Sequence, residues 1–219
     1  VASTDFEKVI FSGVNVKQLS GFSDLGGLLA LQQLCPHPSG GGGTARSDNF
    51  NRASSGSGLG TPSDGGSAWV ADASNFGIFS NQAYGAGGGA PTIESLECNS
   101  GDGTVQVTVT SAGGNACLSF RVSDGNNCWV LAAVVGTFYE IYQRSGGSII
   151  NVKTGGSAPV NGDVVSVVLS GTSITVKVNG IAIAALASTD SGASLTRTRH
   201  GVAANSDAST LLDNWSYTP

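Results

Sequence analysis

Residues able to do acid, base or nucleophilic chemistry are scarce in this 219-residue chain: four glutamates (Glu7, Glu94, Glu97 and Glu140) and two histidines (His37 and His200). Glycoside hydrolysis on a sheet needs two carboxylates projecting together, as in a Glu-x-Asp-x-x-Glu strand. Glu94 and Glu97 stand three residues apart, which on a strand sends them to opposite faces. A serine hydrolase needs a nucleophile on a strained turn, a histidine and an acid. No Gly-x-Ser-x-Gly occurs, His37 lies between prolines, and His200 is expected at a solvated or edge position beside Arg199. The run from Gly85 to Ala90 formally fits a dinucleotide fingerprint, but Pro91 and a strand follow it where a helix must begin. No lysine follows a glycine, so a P-loop is absent as well. An enzyme is not expected.

Binding chemistry is better represented. Asp48, Asp72, Asp102, Asp124, Asp163 and Asp213 fall in or near expected turns; there such carboxylates either ligate calcium or brace the turn backbone. A glycan site needs exposed rings flanked by Asn and Asp. The turn Asp124-Gly125-Asn126-Asn127, with Trp129, Phe138, Tyr139 and Tyr142 close by, could supply one, although core and cross-strand packing is the commoner fate of such rings. The candidate glycan-binding set is Asp124, Asn126, Asn127, Trp129, Tyr139 and Tyr142. Cys35, Cys98, Cys117 and Cys128 lack CxxC spacing, which disfavours a zinc or redox site and favours free, buried thiols.

The elements that must position these residues follow from composition and periodicity. Glycine contributes 33 residues and charged residues only 11%, a pattern that disfavours helices and favours strands with tight turns. Net charge is −5 with only 10 Lys and Arg, which leaves no footprint for nucleic-acid binding. No apolar run reaches the ~18 residues of a membrane span. Candidate strands occupy 67–72, 75–79, 92–98, 104–110, 116–123, 128–135, 138–144, 147–153, 163–170, 172–178, 181–187, 197–204 and 211–217. The clearest hairpin is Ser173 to Val178, Asn179-Gly180, then Ile181 to Ala184, because Asn-Gly supplies the positive φ that a tight turn requires. Antiparallel strands at this spacing imply a β-sandwich or barrel, and a domain of about 170 residues suits an all-β, two-sheet antiparallel β-sandwich.

Upstream, Cys-Pro-His-Pro-Ser followed by four glycines opens a Pro/Gly-rich linker at 35–46. It separates a short segment, 1–34, from a sandwich domain at 47–219. Phe11, Leu25, Leu28, Leu29, Leu31 and Leu34 give the short segment an apolar face, its leucines on a short helix after Ser23, which cannot be buried in so small a unit; it either packs on the larger domain or, as the flexible linker favours, docks on another protein.

Further residues carry a family resemblance. Asp48-Asn49-Phe50-Asn51-Arg52-Ala53, Gly58-Leu59-Gly60, Trp69 and Phe76-Gly77-Ile78 resemble the opening of a concanavalin-like (laminin-G-like) jelly-roll module. Leu118 to Trp129, Phe138 to Tyr142, Gly162-Asp163, Val176 to Gly180, Arg199 to Val202 and Leu212 to Trp215 continue the resemblance across nearly all of 47–217. Such modules bring the first and last strands together, which implies that Phe50 and Trp215 seal one end and makes Asp48 and Asp213 the first candidates for calcium. The Gly-rich, lysine-poor organisation is similar to tail and decoration proteins of actinobacterial phages. That similarity implies a non-enzymatic virion protein, a minor tail or capsid-decoration component. Residues 1–34 would bind the particle, and a homo-oligomer, a trimer by the common symmetry of virion proteins, would display the jelly roll toward host-surface polysaccharide. The alternative is a secreted carbohydrate-binding module of a bacterial enzyme or adhesin.

Overall fold

The computed structural model describes residues 42–73, 76–86, 91–204 and 209–219. The expected anchor residues Phe11, Leu25, Leu28, Leu29, Leu31 and Leu34, the short helix and most of the linker lie outside the described residues.

In chain order the strands are β1 (Arg46–Asp48), β2 (Val70–Ala73), β3 (Phe76–Phe79), β4 (Gln82–Gly85), β5 (Thr92–Glu97), β6 (Gly103–Ala112), β7 (Asn115–Asp124) and β8 (Asn127–Val134). They continue with β9 (Phe138–Ser145), β10 (Ser148–Gly155), β11 (Asp163–Ser170), β12 (Ser173–Val178), β13 (Ile181–Ala182), β14 (Ser188–Thr189), β15 (Arg199–Ala204) and β16 (Thr210–Thr218). Sheet A runs β13-β12-β11-β6-β16-β4-β3, with β1 also on β16 and β14 on β12; sheet B runs β10-β9-β8-β7-β15-β5-β2. Neighbours pair antiparallel throughout. Among the described residues no helix is long and apolar enough to cross a membrane.

Two-residue alternation makes the two layers. In β6, Val105, Val107 and Val109 are buried while Thr104, Gln106 and Thr108 face away. In β11, Val165, Val167 and Leu169 do the same against them. Sheet B answers with Leu118, Phe120, Trp129, Leu131, Tyr139 and Ile141, so the two inner faces share one apolar core. A second, smaller cluster of Ile93, Val122, Cys128, Val130, Tyr142 and Ala203 draws on residues that alternate with these.

The first and last strands meet as the resemblance implied: β1 pairs with β16 in the register Asp48 opposite Trp215. Trp69 lies between Phe50 and Trp215, with ring centroids 6.0 and 5.0 Å away, and the three rings close that end of the core. The all-β, two-sheet antiparallel sandwich expected from the sequence is therefore the observed architecture.

Three local expectations need correction. The strand expected at 181–187 stops at Ala182: the Ile183 N–H still bonds to the Val176 carbonyl, then a 3-10 turn at Ala184–Leu186 drops Leu186 into the core. Strands β1 and β4 were not expected, because three- and four-residue strands show too little alternation to register. The expected linker also ends earlier than residue 46. The Thr44 N–H donates to the Cys98 carbonyl and Arg46 pairs with Tyr217 in β16, so these residues belong to the sandwich.

Candidate functional site

The expected glycan-binding residues separate into two groups. Asp124, Asn126 and Asn127 form the tip of the β7–β8 hairpin and largely bond to one another and to their neighbours. Both Asp124 carboxylate oxygens accept from the Asn127 amide at 3.0 Å, and one also accepts the Asn126 N–H at 2.8 Å. Asn127 Oδ1 accepts the Gly146 N–H, and Arg144 bonds to the Gly125 carbonyl and to Asn126 Oδ1. This locks two adjacent hairpins together. Trp129, Tyr139 and Tyr142 are all buried and offer no ring face to a ligand. Trp129 stacks on Phe120. The Tyr139 hydroxyl donates to Asp163 at 2.6 Å, and burial pushes the Tyr142 phenol up to about 12. These rings pack because alternation on β8 and β9 places them between sheets or within the second cluster.

Asp48 and Asp213 do come near one another, and burial together with the Asp48 charge raises the Asp213 carboxyl. Asp48 is not poised for calcium, however. One of its oxygens accepts the Phe50 N–H at 2.9 Å; the other accepts the Trp69 indole N–H at 2.7 Å and pairs with Arg52. Among the described residues no group of three His, Cys, Asp or Glu side chains is arranged to hold a metal ion.

The other ionisable groups are similarly committed to structure. Glu94 is buried and its two oxygens accept the Leu59 and Phe76 N–H groups at 3.0 and 2.8 Å; burial raises its carboxyl. Glu97 instead accepts the Asn99 N–H at 2.8 Å, so these two glutamates form no acid-base pair. His200 was expected at a solvated or edge position. It lies instead on β15, in the middle of sheet B, fully buried and stacked on Tyr217 at 4.9 Å. The Arg121 N–H donates to its Nδ1, which leaves Nε2–H to donate to the Ser100 carbonyl at 2.9 Å, and burial lowers its pKa to about 4. Cys98, Cys117 and Cys128 are free and buried, and burial pushes the Cys98 and Cys128 thiols up to about 12, far from reactive thiolates. Cys35 lies outside the described residues.

Against this background one aromatic stands out. Phe79 is 57% exposed, the only ring among the described residues in that position. It ends β3, where Phe76 and Ile78 point into the core and Gly77 and Phe79 point out. A two-residue turn at Ser80 and Asn81, both with positive φ, leads into β4 with Phe79 opposite Gln82 and Gly77 opposite Tyr84. The Tyr84 ring meets Phe79 edge-on, centroids 6.5 Å apart at 81°. Gly77 makes this arrangement feasible: a Cβ there would sit 2.6 Å from the Tyr84 ring and 2.4 Å from the Ser55 carbonyl. Leu211 flanks Tyr84 on β16 and Gly56 approaches its hydroxyl. The result is a small outward platform of two rings bordered by Asn81 and Gln82. Sequence reasoning passed over Phe79 and Tyr84, although the signal was present: with Ile78 buried, period two sends Phe79 outward.

The fold and this surface define an all-β, two-sheet antiparallel sandwich with an aromatic patch on an edge hairpin of sheet A. No family model matches the chain, and no curated protein matches it in sequence. Its fold is similar to solved structures of the carbohydrate-binding module CBM66 from Bacillus subtilis (14% identity, 67% of this chain and 91% of that one, TM-score 0.49). It is also similar to those of the galectin LEC-6 from Caenorhabditis elegans (13%, 57% and 89%, 0.46) and the apo Crh5 transglycosylase (10%, 80% and 83%, 0.48). At these identities the likeness is one of architecture.

Proposed function

We propose that the sandwich is a non-catalytic carbohydrate-binding module that meets its glycan at Phe79 and Tyr84. The observation that carries this reading is the exposure of Phe79, while the other large rings among the described residues are buried or half-buried. A sugar ring presents an apolar C–H face that packs on an aromatic ring, while its hydroxyls need amide and hydroxyl partners; Gln82, Asn81 and the Tyr84 hydroxyl lie alongside. The carboxylates that a hydrolase would use are bonded within the fold, which supports binding without catalysis.

On an array of neutral polysaccharides the full chain binds, and Phe79→Ala weakens that binding about tenfold, the scale of one lost aromatic contact of about 1–1.5 kcal/mol. A chain that binds no glycan, or a variant that binds as well as the parent, overturns the reading. The Pro/Gly-rich stretch that begins at residue 35 and ends before Thr44 favours display of the module from a larger assembly, and the sequence resemblance supports a phage particle as that assembly. In that setting a chain lacking 1–34 fails to enter particles while keeping its glycan binding; incorporation of the truncated chain refutes the tether.

A further inference from the structure

We infer that two copies of this chain associate through one lateral edge of the sandwich, formed by β10 and β13. Sheet B ends at β10 and sheet A at β13. They lie on the same side of the molecule, because β10 packs on the 3-10 turn that follows β13: Gly155 abuts Ala185, Gly156 abuts Ile183, and the Lys153 ammonium bonds to the Ala187 carbonyl. Seven of the eight residues of β10 are exposed, among them Ile149 (54%), Ile150 (41%) and Val152 (52%); β13 adds Ile181 (74%). Half of the large exposed hydrophobics among the described residues therefore sit on this one edge.

Edge strands of monomers are commonly blunted by charge. This edge is not. From 141 to 162 the sequence holds no Asp or Glu, and its two cations, Arg144 and Lys153, are bonded to carbonyls of their own chain. On a chain of net charge −5, a contact between like copies needs a surface free of that charge. A positive φ at Asn151 and a register shift between Ile150 and Lys153 bulge the strand. The bulge shortens any main-chain ladder across the contact, so side-chain packing carries the association. The four aliphatic chains supply roughly half of the ~800 Å² per partner that a standard interface buries, and the adjoining backbone and exposed polar side chains of β10 supply the rest. The occupant that matches an uncharged aliphatic edge is the same edge of a second copy, related by a two-fold axis. Phe79 lies at the opposite end of sheet A, on β3, so both copies keep their platforms open and the pair is bivalent.

Sedimentation velocity on the full chain tests this. The parent sediments as a dimer. Ile150→Lys and Val152→Lys each place like charges across the axis and weaken the dimer at least tenfold, while melting at concentrations where every chain is monomeric stays unchanged because both positions are exposed. Phe79→Lys remains dimeric. A parent that is monomeric or trimeric at all concentrations, or lysine variants that stay dimeric, overturns the inference.

Discussion

Arg121 shows how a single side chain can organise a sandwich interior. It sits on β7 with φ of 49°, inside a register shift between Phe120 and Asp124, and this bulge turns its guanidinium inward. There it is fully buried and bonds to Asp190 at 2.7 Å, to Asp102 at 3.0 Å, and to the carbonyls of Gly101 and Gly171. Burial acts to raise the Asp190 carboxyl, but hydrogen bonds from Ser194 and Arg121 bring it below its ordinary value. Truncation by Arg121→Met leaves Asp190 as an uncompensated buried charge, and the expected loss is about 3–5 kcal/mol in a urea titration. A loss under about 1 kcal/mol, the worth of a surface pair, would show that the network is dispensable. His200, stacked nearby, gives a pH signature. Its folded pKa of about 4 lies below the unfolded value of 6.5, so in that window the unfolded chain holds a proton that the folded chain refuses. Stability is then full above 6.5 and falls toward pH 4 by up to about 1.4 kcal/mol per unit. Glu97, Asp102 and Arg121 also act on His200, so the informative quantity is the difference between the parent and His200→Gln. That difference should change between pH 6.5 and 4, and parallel curves refute it. Neither residue's role was legible in the sequence. Arg121 reads as an outward residue of an alternating strand, and only partners 19, 50 and 69 positions away reverse it.

At the scale of the element, the parts that declared themselves were those whose local chemistry and tertiary role agree. The Asn179-Gly180 hairpin is the clearest. Asn179 has φ of 51° and Gly180 of 80°, as a tight turn between twisted strands demands. Asn179 adds tertiary bonds, from its amide to Asp163 and from the Val164 N–H to its Oδ1. Nothing lies within 4 Å of a Cβ built at Gly180, so Gly180→Ala tests the backbone alone. It should cost about 1 kcal/mol, read as a shift in denaturation midpoint with unchanged slope; a neutral or stabilising outcome would mean the turn is not held in this form. Elements that escaped detection have the opposite character. β1 and β4 are too short to alternate, and each exists because β16 offers an edge for it. The 3-10 turn at Ala184–Leu186 carries a sequence that alternates like a strand, yet Leu186 has an interior site to fill. The Phe79/Tyr84 platform belongs to this class too. It depends on β4, so a reading that missed the strand also missed the site.

For the whole molecule the decisive element is β16, which lies between β6 on one side and β1 and β4 on the other. It delivers Leu212, Trp215 and Tyr217 to the core, and Trp215 contacts Trp69 while its indole N–H donates to the Gly201 carbonyl across the sandwich. The last strand in the chain is therefore in the middle of sheet A, and the two layers close only when it is in place. This separates the aromatic residues that make the fold from those proposed to use it. Trp215→Ala opens a large cavity at the sealed end and should cost about 3–5 kcal/mol. Phe79→Ala removes a ring that is mostly in water and touches Tyr84 only edge-on, so its cost should stay near or below about 1 kcal/mol. Glycan binding should divide the other way: measured well below its melting temperature, the Trp215 variant retains it in full and the Phe79 variant binds about tenfold more weakly. If Phe79→Ala destabilised the domain as much as Trp215→Ala, its lost binding would report unfolding, and the platform would be part of the packing after all.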